Sequence, residues 1–152
     1  METPVGPLTL TAERGALVGI RFGAGGPPAA PSGTVLAQAA RELEEYFGGG
    51  RKAFTVPLRF PPGSTAFRLR VWEALRRIPY GETRTYGDLA RELGTSARAV
   101  GGACRHNPIP IVVPCHRVVA RSGLGGYAGE WENGAAEAVK RRLLELETLP
   151  HG

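Results

Sequence analysis

Apolar and polar residues alternate from Leu8 to Ala12 and again from Leu17 to Phe22, with Arg14 and Gly15 between the two runs. Alternation with a period of two puts every second side chain on one face, so the pattern predicts two strands joined as a hairpin. After a Gly and Pro cluster from Gly23 to Gly33, Val35, Ala39, Leu43 and Tyr46 recur at helical spacing until glycines follow Phe47. That spacing predicts a helix over 35–47. Ala53 to Phe60 alternates again and predicts a third strand, placed at a sheet edge because Pro57 has no N–H to donate. The first module is expected to be a small sheet with one helix.

Pro61, Pro62 and Gly63 read as a linker, which divides the chain into modules 1–62 and 63–152. Ser64 is placed to cap a helix whose apolar stripe is Phe67, Val71, Leu75 and Ile78, and which Pro79 and Gly81 end. Thr85 with Asp88 three residues on has the form of a capping box, opening a helix that buries Leu89 and Leu93 before Gly94. Ser96 caps the next helix, expected to run to Asn107 where Pro108 breaks it. The second module is therefore mainly helical and the fold class α+β. Two short helices joined by a tight Gly-containing turn make a helix-turn-helix pattern. Its second helix carries Arg98 and Arg105 and small residues at Gly101, Gly102 and Ala103. Small residues admit the close approach of a nucleic-acid backbone, but equally of a neighbouring helix.

Composition narrows the picture. With 22 Gly and 13 Pro, 152 residues leave room for one compact domain or two small ones. The net charge of +5 favours a polyanionic partner, although solubility alone accounts for such an excess. Lysine occurs only at Lys52 and Lys140, so nearly all the basic residues are Arg, a choice that carries no functional signal. Two cysteines make no disulfide framework, and no secretory pattern opens the chain, so a reducing cytoplasm is expected. No stretch reaches the roughly 20 apolar residues that span a bilayer. A soluble protein with no membrane association is expected.

The chemistry concentrates in Asn107–Val119, NPIPIVVPCHRVV, where three prolines stiffen an apolar segment holding one thiol beside one imidazole. The segment is expected to be a rigid loop and buried strand. On residue type alone Cys115 reads as a small buried hydrophobe. Its neighbours give a second reading, because a thiol must become a thiolate to attack carbon and nearby His and Arg groups promote that. His116 and Arg117 are the candidates, although adjacent residues on a strand point to opposite faces and need not touch. Cys104, His106, Cys115 and His116 match structural zinc in number but not in spacing, and no metal site is expected. A cysteine peptidase is disfavoured, since its Cys and His lie far apart in sequence.

PCHR within this segment resembles the active-site signature of the O6-alkylguanine-DNA alkyltransferases, also called methylated-DNA-protein-cysteine methyltransferases. The resemblance runs from about Phe67 to Glu147 and includes TYGDLA, the ARAVGGA helix, Asn107 and the GGY of 125–127. It implies direct repair of double-stranded DNA containing O6-alkylguanine, with irreversible single-turnover transfer of the alkyl group to Cys115 by a cofactor-free monomer. It implies that His116 is a base reaching the thiol through a water, that Glu147 orients the histidine, and that Asn107 ties the second helix of the pair to the active-site segment. Tyr86 is implied as donor to the guanine ring. Arg98 resembles a finger inserted where the flipped nucleotide lay, with Ala97, Gly101, Gly102, Arg105 and Tyr86 as the remaining DNA contacts in a minor groove. Tyr127, Val118, Ala128 and Gly129 correspond to the alkyl pocket.

The sequence departs from the family pattern beyond that pocket. An insertion of about six residues around Glu130 to Ala136 precedes Lys140, within ordinary loop variation. Ala128 stands where the family often has Ser. A related possibility is a sensor that flips and binds alkylguanine without repairing it; such proteins typically lack the acceptor cysteine, which this chain has.

Overall fold

The computed structural model describes residues 1–23, 34–120 and 135–148. These fall into two compact units: Met1–Pro62 with Pro108–Val112, and the described residues of Gly63–Asn107 and Val113–Leu149.

In the first unit β1 (Leu8–Glu13) and β2 (Ala16–Phe22) pair antiparallel, from Leu8 opposite Phe22 to Glu13 opposite Ala16. Arg14 and Gly15 form the turn with φ of 50° and 76°. Two consecutive positive φ values match the right-handed twist of a two-residue hairpin. The helix α1 (Val35–Phe47) starts where Thr34 accepts a hydrogen bond from the Ala37 amide, and it buries Ala39, Leu43 and Tyr46 on one face. Leu8, Leu17, Ile20 and Val56 complete the core with Ile109 and Ile111 of the 108–112 segment.

The expected third strand does not form. Ala53 to Phe60 contributes only the bridge of Leu58 to Leu17, where the Leu17 amide donates to Pro57 and the Arg59 amide to Leu17. Pro57 removes one donor. The amides of Thr55 and Val56, which a ladder would need, donate instead to the buried carboxylate of Glu42 on α1 at 2.9 and 3.1 Å. Thr55 Oγ1 and Gln38 Nε2 donate to the same group. These bonds outweigh the cost of burial and hold Glu42 below the usual carboxylate range.

The second unit opens with α2 (Ala66–Arg76), capped by Thr65 rather than by Ser64. Short strand β3 (Arg84–Thr85) leads into α3 (Tyr86–Leu93), where Thr85 and Asp88 form the reciprocal capping box and Gly94 takes the left-handed position at φ 68° that ends the helix. The helix α4 (Ala97–Arg105) begins at Ser96 and stops two residues before Asn107. There the amides of His106 and Asn107 turn back to Ala103 and Cys104, closing the last turn three residues rather than four behind. A 3-10 turn, Cys115–Arg117, follows, then β4 (Val118–Val119), which pairs parallel with β3, and finally α5 (Ala135–Thr148). Val71, Trp72, Leu75, Leu89, Val100 and Leu143 form this unit's core, with Trp72 Nε1 donating to the Ala103 carbonyl at 3.0 Å. Among the described residues no helix is long and apolar enough to cross a membrane.

Candidate active site

The active-site segment is not a strand at the thiol. The Cys115 amide donates to the Val113 carbonyl at 2.8 Å in a tight turn around Pro114, and the amides of Arg117 and Val118 donate three residues back, to Pro114 and Cys115, to make residues 115–117 a single 3-10 turn. Consecutive residues of such a turn need not diverge as they do on a strand. His116 and Arg117 both reach the carboxylate of Glu147 on α5. His116 Nε2 lies 2.6 Å from Oε2, Arg117 Nε donates to Oε1 at 2.9 Å, and Arg117 Nη2 donates to Oε2 at 3.0 Å. The Gly81 amide adds a bond to Oε1 at 3.2 Å. Gly81 has φ of 81°, a conformation that glycine adopts without the cost a side chain would bring.

Cys115 is 2 % exposed and His116 fully buried. With Nε2 against a carboxylate, His116 carries its proton there, and Nδ1, also buried, makes no hydrogen bond to the described residues. Burial is the main influence pushing the imidazole below its ordinary value, and the charges of Arg117 and Lys140 push the same way against the opposing pull of Glu147. The arrangement is a neutral base, oriented by a carboxylate, next in sequence to a thiol.

Tyr86, the first residue of α3, is buried, and its hydroxyl accepts a 3.5 Å bond from Lys140 Nζ, which also lies 5.5 Å from the ring centre. Burial, then the proximity of Cys104 and Cys115, push the phenol upward, so it remains protonated at neutral pH. Burial likewise raises the Cys104 thiol. Lys140 is a site group that residue-by-residue reading missed. Its signal lay in the spacing: Lys140, Leu143 and Glu147 fall at i, i+3 and i+7, so the lysine sits on the buried stripe of α5. Arg117 was read only as a neighbour of the thiol.

The remaining expected residues are placed as follows. Asn107 donates from Nδ2 to the Val113 carbonyl at 2.8 Å, across the segment 108–112. On α4, Ala97, Arg98 and Arg105 are exposed and Gly101 and Gly102 half-buried. A Cβ built on Gly101 would lie 3.9 Å from the Tyr86 ring, an ordinary contact, so the packing of α4 against Tyr86 does not itself require glycine there. Val118 is fully buried on β4. Tyr127, Ala128 and Gly129, and the insertion from Glu130 to Asn133, lie outside the described residues. Cys104 and Cys115 are buried and not joined in a disulfide, and no group of three or more His, Cys, Asp or Glu among the described residues is arranged to hold a metal ion.

Two family models cover most of the chain: residues 66–149 match the 6-O-methylguanine DNA methyltransferase DNA-binding domain and residues 1–60 its ribonuclease-like domain. A methylated-DNA–protein-cysteine methyltransferase of Methanosarcina acetivorans is 42 % identical over 96 % of this chain and 94 % of its own length. The crystal structure of the Mycobacterium tuberculosis O6-methylguanine methyltransferase superposes with a TM-score of 0.82 at 39 % identity, covering 100 % of this chain and 93 % of that one. The Mycobacterium tuberculosis OGT in complex with DNA gives 0.81 at 42 % identity, over 97 % and 89 %.

Proposed function

The chain belongs to the 6-O-methylguanine DNA methyltransferase family, so it binds DNA and repairs it directly as a protein-cysteine methyltransferase, and we propose that Cys115 is its alkyl acceptor. The observation that carries this reading is the buried Cys115, His116, Glu147 sequence of thiol, neutral base and carboxylate. His116 Nδ1 takes the thiol proton through a water, the sulfur attacks the alkyl carbon, and the bond from that carbon to O6 of guanine breaks. The protonated Tyr86 hydroxyl donates to the guanine ring as charge builds on it, and the proton lost by the thiol finally replaces it, leaving S-alkylcysteine and guanine. Nothing converts the thioether back to the thiol, so each molecule acts once.

The substrate is double-stranded DNA containing O6-alkylguanine. Its O6 lies in the base stack, so a buried thiol reaches it only after the nucleotide is flipped out. The helix α4 enters the minor groove with Ala97, Gly101, Gly102 and Arg105 along the DNA, and Arg98 fills the place of the extruded base. Asn107 holds the end of α4 to the active-site segment, and Val118 with Tyr127, Ala128 and Gly129 lines the alkyl pocket. We further assign 1–62 and 63–152 as domains and take the protein as a cytoplasmic monomer.

The test uses an oligonucleotide duplex carrying O6-methylguanine, followed by intact and peptide mass measurement. Stoichiometric gain of one methylene on the Cys115 peptide, absent in Cys115→Ala, is expected. Transfer to Cys104, or tight binding without transfer, would overturn the acceptor assignment, the latter in favour of a sensor. Arg98→Ala is expected to slow transfer from duplex DNA by about tenfold or more while leaving reaction with a free base analogue within about twofold, because only the duplex requires flipping. Equal slowing of both would remove Arg98 from that role.

A further inference from the structure

We propose that Arg117 is a positioning residue for the proton transfer: by gripping both oxygens of Glu147, its guanidinium fixes the tautomer and resting charge of His116. The inference rests on the roles of Cys115 and His116 given above. The 3-10 turn aims two consecutive side chains at one carboxylate. Oε1 receives Arg117 Nε and the Gly81 amide, while Oε2 receives His116 Nε2 and Arg117 Nη2. The guanidinium is itself held, with Nη1 donating to the Ile78 carbonyl at 2.7 Å and its carbon 5.7 Å from the centre of the Tyr80 ring.

A buried ion pair adds little net stability, because desolvating both charges cancels most of their attraction. Its consequence for the imidazole is larger. A buried carboxylate with only a histidine beside it draws a proton onto that histidine, and an imidazolium has no lone pair at Nδ1 to accept another. A permanent cation on the same carboxylate meets that charge, so the imidazole stays neutral and keeps Nδ1 available. Among the described residues Lys140 from α5 acts on His116, and Tyr80 after α2 feels both Glu147 and Arg117; Tyr86 from α3, Cys104 from α4 and Cys115 on the turn are coupled to one another beside Lys140. Lys140 acts on His116 in the same sense as Arg117, whereas Arg117 bonds Glu147 directly, through both oxygens.

Single-turnover methyl transfer from a methylated duplex, measured across the pH range for wild type, Arg117→Gln and Arg117→Lys, separates charge from shape. Glutamine keeps N–H donors without the charge, and lysine keeps the charge without the planar fork. In the wild type the acid limb is expected below the ordinary histidine value of about 6.5. In R117Q it is expected to move up by about 1–2 pH units, giving a deficit of about tenfold or more near neutrality that narrows to about threefold at high pH. R117K is expected to keep the wild-type limb. A deficit in R117Q that is the same at every pH, or an R117K limb that moves with R117Q, would overturn the proposal. Nitrogen chemical shifts of the His116 ring provide a readout that does not depend on R117Q folding: the neutral Nε2–H tautomer is expected at neutral pH in wild type and R117K, and an imidazolium in either would equally overturn it. Wild-type protein that leaves Cys115 unmodified at all pH values would sink the acceptor assignment instead, with the ring shifts still reporting on Arg117.

Discussion

Glu147→Ala is expected to lower single-turnover transfer by on the order of a thousandfold and to cost about 3–5 kcal/mol of stability. Two effects arise from one deletion. His116, Arg117 through Nε and Nη2, and the Gly81 amide all donate to this carboxylate and would lose that acceptor. Arg117, 5 % exposed, would become a buried cation without its counter-charge, which is the main source of the destabilisation. The kinetic loss comes from the imidazole, whose proton would no longer be pinned to Nε2 and would occupy Nδ1 in part of the population. Glu147→Gln separates the two effects. It keeps the volume and one acceptor oxygen, so it should recover part of the stability and much less of the rate. Chemical denaturation alongside rapid-quench transfer kinetics reads both quantities, and an alanine variant with normal rate would remove Glu147 from the mechanism.

Glu42→Ala is expected to destabilise the first unit by about 3 kcal/mol or more, with no catalytic group involved. The Thr55 and Val56 amides and the Thr55 hydroxyl would lose a charged acceptor, and the buried Val56 amide would lose it where water does not readily replace it. The sign of the pH dependence follows from the lowered value of this carboxyl in the folded state. Its contribution is complete above the unfolded carboxylate value of about 4.3 and is lost as pH falls through the lower folded value. The gap between wild type and Glu42→Ala should therefore be widest near neutral pH and narrow in acid. Thermal melts at a series of pH values check this, and a gap that widens on acidification would contradict it.

The sequence made some features plain because they are local. The hairpin, the helix from Val35 to Phe47, the Thr85 and Asp88 cap and the Gly94 stop each depend on residues within a few positions of one another. What it hid is long-range. Ala53 to Phe60 alternates like a strand, but its amides are claimed by a carboxylate 13 and 14 residues away on a helix. The end of α4 was misread by two residues because Pro108 marks only where a helix must have stopped. At the site, a rigid thiol beside an imidazole was legible in the PCHR segment itself, whereas Glu147 came from resemblance alone. A separation of 30 or 31 positions from its partners leaves no periodic trace. Arg117 leaves no signal beyond its place beside the thiol, because its partner is a carboxylate on a helix far along the chain.

The route of the chain around the thiol limits how this protein can be cut. After Asn107 the backbone leaves the second unit for five residues that belong with the first, passes through Ile111 at a positive φ of 74°, and returns at Val113, where the Asn107 side chain closes the excursion. A gene fragment starting at Gly63 would still encode the nucleophile, its base and the carboxylate. It would also encode an apolar tongue of Ile109, Ile111 and Val112 stripped of the surroundings that bury it. The catalytic half is thus not a detachable cassette. A split or fused version should keep both ends of that tongue on one polypeptide and supply the first unit in trans, and new junctions are better placed at the Arg14–Gly15 turn.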